Sequence, residues 1–155
     1  MNKIIATLIA GLFATAAFAQ TSDVAKAQAD ANKDVAKAQQ KEAKADAKAD
    51  HKANKAIAKA DKVHEEQQAK VSVEQAKANE KVAKADPEDK AKAEAKGDKN
   101  VAKAMEKAEK KSVKADAKAI KATVDATEDK ALAANKTAAT KAKADAEVKE
   151  AAAKH

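Results

Sequence analysis

Most apolar side chains beyond the first twenty residues are alanine, and the polar position that recurs among them is lysine. Lysine stands at 26, 37, 48, 59, 70, 81, 92, 103 and 114, in steps of eleven. Before these lysines come Ala25, Ala36, Ala47, Ala58 and Ala69; after them come Ala27, Ala38, Ala49, Ala60, Val71 and Val82. Val24, Val35, Ile57 and Val101 fall one place earlier than the first of these sets, and the unit reads approximately V-A-K-A-Q-A-K-A-N-K-D. Eleven residues make three turns at about 3.67 residues each, so a feature repeated at that spacing stays on one side of a helix with little drift. The period selects helix over strand.

Lysines three and four apart fill the series into two rows. The first is Lys33, Lys37, Lys41, Lys44, Lys48, Lys52, Lys55, Lys59 and Lys62; the second is Lys92, Lys96, Lys99, Lys103, Lys107, Lys110, Lys114, Lys118 and Lys121. Each row predicts a cationic stripe roughly 43 Å long. Val24, Val35, Ile57 and Val101, with mostly alanine neighbours, form a second, narrow face, through which helix pairing and self-association are expected to be weak. "AKADAKAD" at 43–50 alternates with period two and sets Lys44 against Lys48 and Asp46 against Asp50, which suits a strand. Alanine is a poor strand former, and the longer series prevails.

Punctuation is sparse. At "ADPEDKAK", Asp86 is placed to cap, Pro87 fits a first helical position, and Glu88 and Asp89 meet the positive end of the dipole. The lysine series keeps phase across this joint, so a kinked rod and two folded-back arms both fit. Gly97 is a candidate for fraying or ending a short segment. The repeat fades after Lys121, and the tail is helix-compatible with a restart at Thr127. The expected architecture is all-α: one long Ala/Lys-rich helix or two helical arms jointed near Asp86-Pro87, with no globular core and partial disorder in free solution. Residues 20–86 make the first arm, 87–122 the second, and 123–155 a helix-prone tail.

"MNKIIATLIAGLFATAAFAQ" reads differently: Lys3, an apolar run from Ile4 to Phe18, and small residues at Ala17 and Ala19. That is the pattern of a secretory signal peptide over residues 1–19, with cleavage expected before Gln20 and a periplasmic or secreted product. Both phenylalanines lie in it, so the remainder has no aromatic residue; the whole chain has no cysteine to staple it and a net charge of +7. Burying the few large aliphatics falls well short of the entropy cost of ordering a globular domain. Low bulk hydrophobicity with many charges marks disorder, while abundant Ala, Lys, Glu and Gln marks a long helix.

These residues exclude most chemistry. A Ser/His/Asp constellation on a pocket-forming scaffold and a Gly-rich phosphate loop are both missing, so no enzyme, cofactor or small-molecule substrate is expected. His51, His64 and His155 are too far apart for a compact ligand motif, and the acidic pairs Glu65-Glu66 and Glu88-Asp89 read as solvated faces or caps, so no metal is expected. Neighbouring lysines repel by about 0.2 to 0.5 kcal/mol per pair, which pairs such as Asp34 with Lys37, Glu66 with Lys70, Glu80 with Lys84 and Glu106 with Lys110 offset only in part. The free chain is thus expected to hover between coil and helix. Lipopolysaccharide phosphate, polyphosphate, nucleic acid or another anionic envelope surface that neutralised the rows would draw it toward helix. Lysine without arginine or aromatics makes such binding blind to sequence.

The units "VAKAQADANKD" and "VAKAQQKEAKA", without cysteine or tryptophan, resemble the eleven-residue-repeat group of late-embryogenesis-abundant proteins over roughly residues 22–122. That resemblance implies a hydrated coil that turns helical on drying and protects membranes or proteins. In composition the chain is also similar to the Ala/Lys-rich helical spacer of the TolA envelope protein, which implies a spacer role. The sequence thus leads to an exported, non-enzymatic helical polyelectrolyte with a structural or stress-protective role in the envelope, with polyanion binding and spacing as alternatives.

Overall fold

The computed structural model describes residues 22–154, so the signal peptide expected over residues 1–19 lies outside the described residues. Two α-helices make up the chain there: α1, Ser22–Lys84, and α2, Lys90–Ala153. The period-two stretch at 43–50 is helical within α1, as alanine's propensity dictates. Between the helices the backbone tightens and restarts. Ala85 N–H donates to the Val82 carbonyl at 3.3 Å, and the Asp86 carbonyl accepts from Asp89 N–H at 2.9 Å and Lys90 N–H at 3.1 Å. Pro87, which has no N–H to satisfy, sits in the first turn of that restart. The fold is therefore all-α with two arms jointed at Asp86-Pro87.

The described chain divides into two compact units, one spanning residues 40–136 and the other combining residues 22–39 with 137–154. In the first, the arms run antiparallel: Lys52 reaches Asp129, His64 reaches Asp116, and Ala49 and Ala53 pack with Ala126. In the second, the Thr137 hydroxyl donates to the Ala38 carbonyl at 3.3 Å. Thr137 is buried, and this bond satisfies its hydroxyl.

Alanine makes the seam. Ala27, Ala38, Ala49, Ala60, Val71 and Val82 on α1 and Ala93, Ala104, Ala115, Ala126, Thr137 and Val148 on α2 are all buried or half-buried. They form one unbroken eleven-residue series that crosses the turn in phase. The narrow face expected around Val24, Val35, Ile57 and Val101 is corrected accordingly. Val101 is buried and Val24 and Val35 are half-buried, but Ile57 is 42 % exposed. The inward stripe is centred on small residues, because these let two backbones approach closely.

Gly97 is neither a frayed end nor a terminator. It lies inside α2, buried, where a Cβ would come 2.9 Å from the Cβ of Ala78. Thr127 likewise starts no helix; its hydroxyl donates 3.0 Å to the Thr123 carbonyl within α2, which continues through residues 122 and 123 without a break. Replacing Gly97 by alanine should add up to about 1 kcal/mol of helix propensity. It should lose more than that, because the Ala78 methyl is fixed to its backbone and the arms must part, an overpacking cost of about 1–3 kcal/mol. Urea unfolding followed by circular dichroism is expected to show a lower midpoint for the variant, and an unchanged or raised midpoint would contradict the close approach.

Candidate polyanion-binding face

All the lysines of both rows are exposed: Lys33, Lys37, Lys41, Lys44, Lys48, Lys52, Lys55, Lys59 and Lys62 on α1, and Lys92, Lys96, Lys99, Lys103, Lys107, Lys110, Lys114, Lys118 and Lys121 on α2. Among the described residues, only four of these lysines carry ion pairs: Lys37 with Asp34, Lys52 with Asp129, Lys110 with Glu106 and Lys121 with Asp125. The expected Glu80–Lys84 pair forms at 2.5 Å, whereas Glu66 and Lys70 do not pair. The rest of the rows stand in solvent with their charge uncompensated by contact.

How the rows lie within the 40–136 unit follows from the seam. Immediately before seven of the unit's eight seam residues stands a lysine, Lys48, Lys59, Lys70 and Lys81 on α1 and Lys92, Lys103 and Lys114 on α2, while Asp125 precedes the eighth, Ala126. Immediately after stand Asp50, Asp61, Ser72 and Ala83 on α1, Glu94, Met105 and Asp116 on α2. One position is about 100° of helix rotation, so lysine flanks the seam in the same rotational sense on both arms. Reversing one helix, as an antiparallel pair does, brings flanks of the same sense to a common side. The cross-helix contacts agree. Lys52 and Asp129, each three positions after a seam alanine, meet at 3.8 Å on the lysine side. His64 meets Asp116 at 2.8 Å, and Lys130 pairs with Asp50, on the other side.

Near the turn the two sides become two grooves flanking Ala78. The groove on the lysine side, about 170 Å³, is lined by Glu74, Lys77, Lys81 and Lys96 with Ala93, Gly97 and Asn100. The one opposite, about 450 Å³, has Glu94, Asp98 and Lys90 with Gln75, Asn79, Val82 and Ala83. The unit is thus electrostatically two-sided, cationic on one flank and mostly acidic or neutral on the other. Surface lysines in this arrangement act as point charges on flexible stems, so they match a row of phosphates or carboxylates rather than one shaped ligand.

Local ion pairs hold individual turns. Hydrogen bonds from Lys77, Lys110 and Lys154, reinforced by the lysines' charge, hold the carboxyls of Glu74, Glu106 and Glu150 below the usual carboxylate range. The same bond to Glu106 raises the Lys110 ammonium above its ordinary value. A carboxyl whose folded value is depressed contributes stability above its unfolded value, about 4.3, and loses it as pH falls through the folded value. Helix content measured by circular dichroism should therefore fall as pH drops below about 4, and Glu106→Gln should flatten that fall.

Among the described residues, no group of three His, Cys, Asp or Glu side chains is placed to hold a metal ion, and no helix is long and apolar enough to cross a membrane. Half-buried Asp46 leaves its Oδ1 buried without a hydrogen-bond partner. The carboxylate lies beside the seam, away from the lysine side.

Fold and face together define a coiled-coil-like, all-α protein whose arms pair through alanine. No protein-family model matches the chain, and neither a curated protein nor a solved structure matches it.

Proposed function

We propose that the protein is an exported, non-enzymatic helical polyelectrolyte that covers anionic polymers and surfaces of the cell envelope through its lysine side, in a structural or protective role. The observation that supports this reading best is the two-sidedness of the 40–136 unit. Rows far apart in sequence flank the seam on one side, so a polyanion meets both at once, while most of the acidic groups that would repel it lie opposite. Binding is sequence-blind and driven by counterion release.

In free solution the crowded ammonium groups hold the chain near the balance of coil and helix, and phosphate neutralises them. Circular dichroism with and without polyphosphate or anionic vesicles tests the coupling. Helix content should rise with either and return on adding salt; an unchanged spectrum would defeat the reading. The likeness to late-embryogenesis-abundant repeats suggests an alternative route to protection, shielding by a hydrated chain. Protection that persists in high salt would favour shielding, and a steep salt dependence favours phosphate contact.

A further inference from the structure

The seam repeats with a symmetry that a hairpin does not need. In the 40–136 unit its eleven-step positions run from Ala49 to Val82 on α1 and from Ala93 to Ala126 on α2. A turn breaks helical phase, so nothing in a folded-back pair requires a step of eleven from Val82 to Ala93; a continuous helix does require it. The contacts also mirror about the Pro87–Glu88 bond. Ala78, nine residues before Pro87, meets Gly97, nine after Glu88, and Ala49, thirty-eight before, packs with Ala126, thirty-eight after. Were residues 85–89 wound into helix, all these positions would line one side of a single rod. Two such rods, laid antiparallel about that bond, would make the same contacts between chains.

We propose that this seam serves two folded states, the hairpin and a dimer of straightened chains that exchange arms, and that Asp86, Pro87 and Asp89 hold the chain in the first. In the dimer each arm pairs with the other arm of a second copy, so the buried surface and the Lys52–Asp129 and Asp50–Lys130 pairs carry over unchanged. The lysine flank keeps its rotational sense along both rods, and the dimer stands whether or not that flank binds polyanions. The joint opposes the exchange in two ways. In a continuous helix Pro87 gives no N–H to the Ala83 carbonyl, and its ring crowds that oxygen. Asp89, seven residues after Val82, would fall on the seam line, and the mirror sets it against Asp86 of the second copy, twice, with like charges at close approach. In the hairpin both aspartates are exposed, and the Asp86 carbonyl takes the Asp89 and Lys90 N–H groups. Pairing within one chain also proceeds at an effective concentration of about a millimolar, which favours it in dilute solution.

The test joins Asp86→Ala, Pro87→Ala and Asp89→Ala in the full chain, with the parent beside it, each refolded from urea at about 100 micromolar, below the arms' effective concentration. Sedimentation equilibrium should give a monomer for the parent and a dimer for the variant, whose association midpoint falls by at least about a hundredfold. Since the chain has no cysteine, Lys52→Cys with Asp129→Cys and a short bis-maleimide report which arms pair. The link should form within one chain of the parent and between two chains of the variant. Mixing the two single-cysteine forms of the variant should link unlike chains only. The same results are expected without residues 1–19. A variant that stays a linked monomer, a variant that becomes an unlinked monomeric rod, or a dimer linked only within each chain would overturn the proposal. So would association that needs residues 1–19, or a parent already linked between chains, since the joint would then select nothing.

Discussion

Replacing Ala49 by leucine is expected to open the paired arms, whereas the same replacement at Ala47, two residues away, is expected to leave them intact. Ala49 is completely buried, at 0 % exposure, against Ala53 and Ala126, while Ala47 is exposed. Leucine and alanine differ little in helix propensity, so the contrast isolates packing. Three further heavy atoms at Ala49 have no space to enter, and overpacking costs about 1–3 kcal/mol. That is a large fraction of the stability of a pairing built from methyl groups, each returning about 0.8 kcal/mol on burial. Separation also carries away the Lys52–Asp129 and Asp50–Lys130 pairs on either side of the seam. Thermal melts by circular dichroism at fixed chain concentration make the comparison. Equal melts for the two variants would mean that Ala49 is not at a seam in solution.

The second large effect concerns charge. Substituting Lys48, Lys59, Lys103 and Lys114 by glutamine removes two charges from each arm on the common side. Affinity for polyphosphate should fall steeply, and the slope of log affinity against log salt should shrink by roughly one per lysine that contacts phosphate. Asp61→Asn with Glu94→Gln, on the opposite side, should leave the slope nearly unchanged. The four-glutamine chain should also be more helical than the parent when free, since the substitutions relieve like-charge repulsion at no cost in propensity. Loss of affinity that tracks only net charge, regardless of side, would show that the two flanks do not act as separate faces.

The helical class and the joint were legible because they rest on local chemistry. Alanine, lysine and glutamate favour helix residue by residue, and Asp86-Pro87 interrupts it by a missing N–H and a fixed φ. The lysine rows were legible as rows because eleven residues return to one azimuth. Gly97 shows the limit. As a local signal it weakens a helix, and only Ala78 across the pair explains why it sits mid-helix. Ile57 shows the same limit in reverse, for an aliphatic residue beside a repeat looks like core until the partner helix is placed.

Taken alone, the order of amino acids determined that this chain winds into two long α-helical segments with an eleven-residue lattice of lysine and small residues. It left the choice between a kinked rod and folded-back arms undecided, because either preserves the phase of that lattice. Tertiary pairing made the choice and with it decided which residues form the seam. An antiparallel neighbour reverses one helix, so two lysine rows separate in sequence come to flank the same side of the 40–136 unit, and no inspection of a single helix contains that relation.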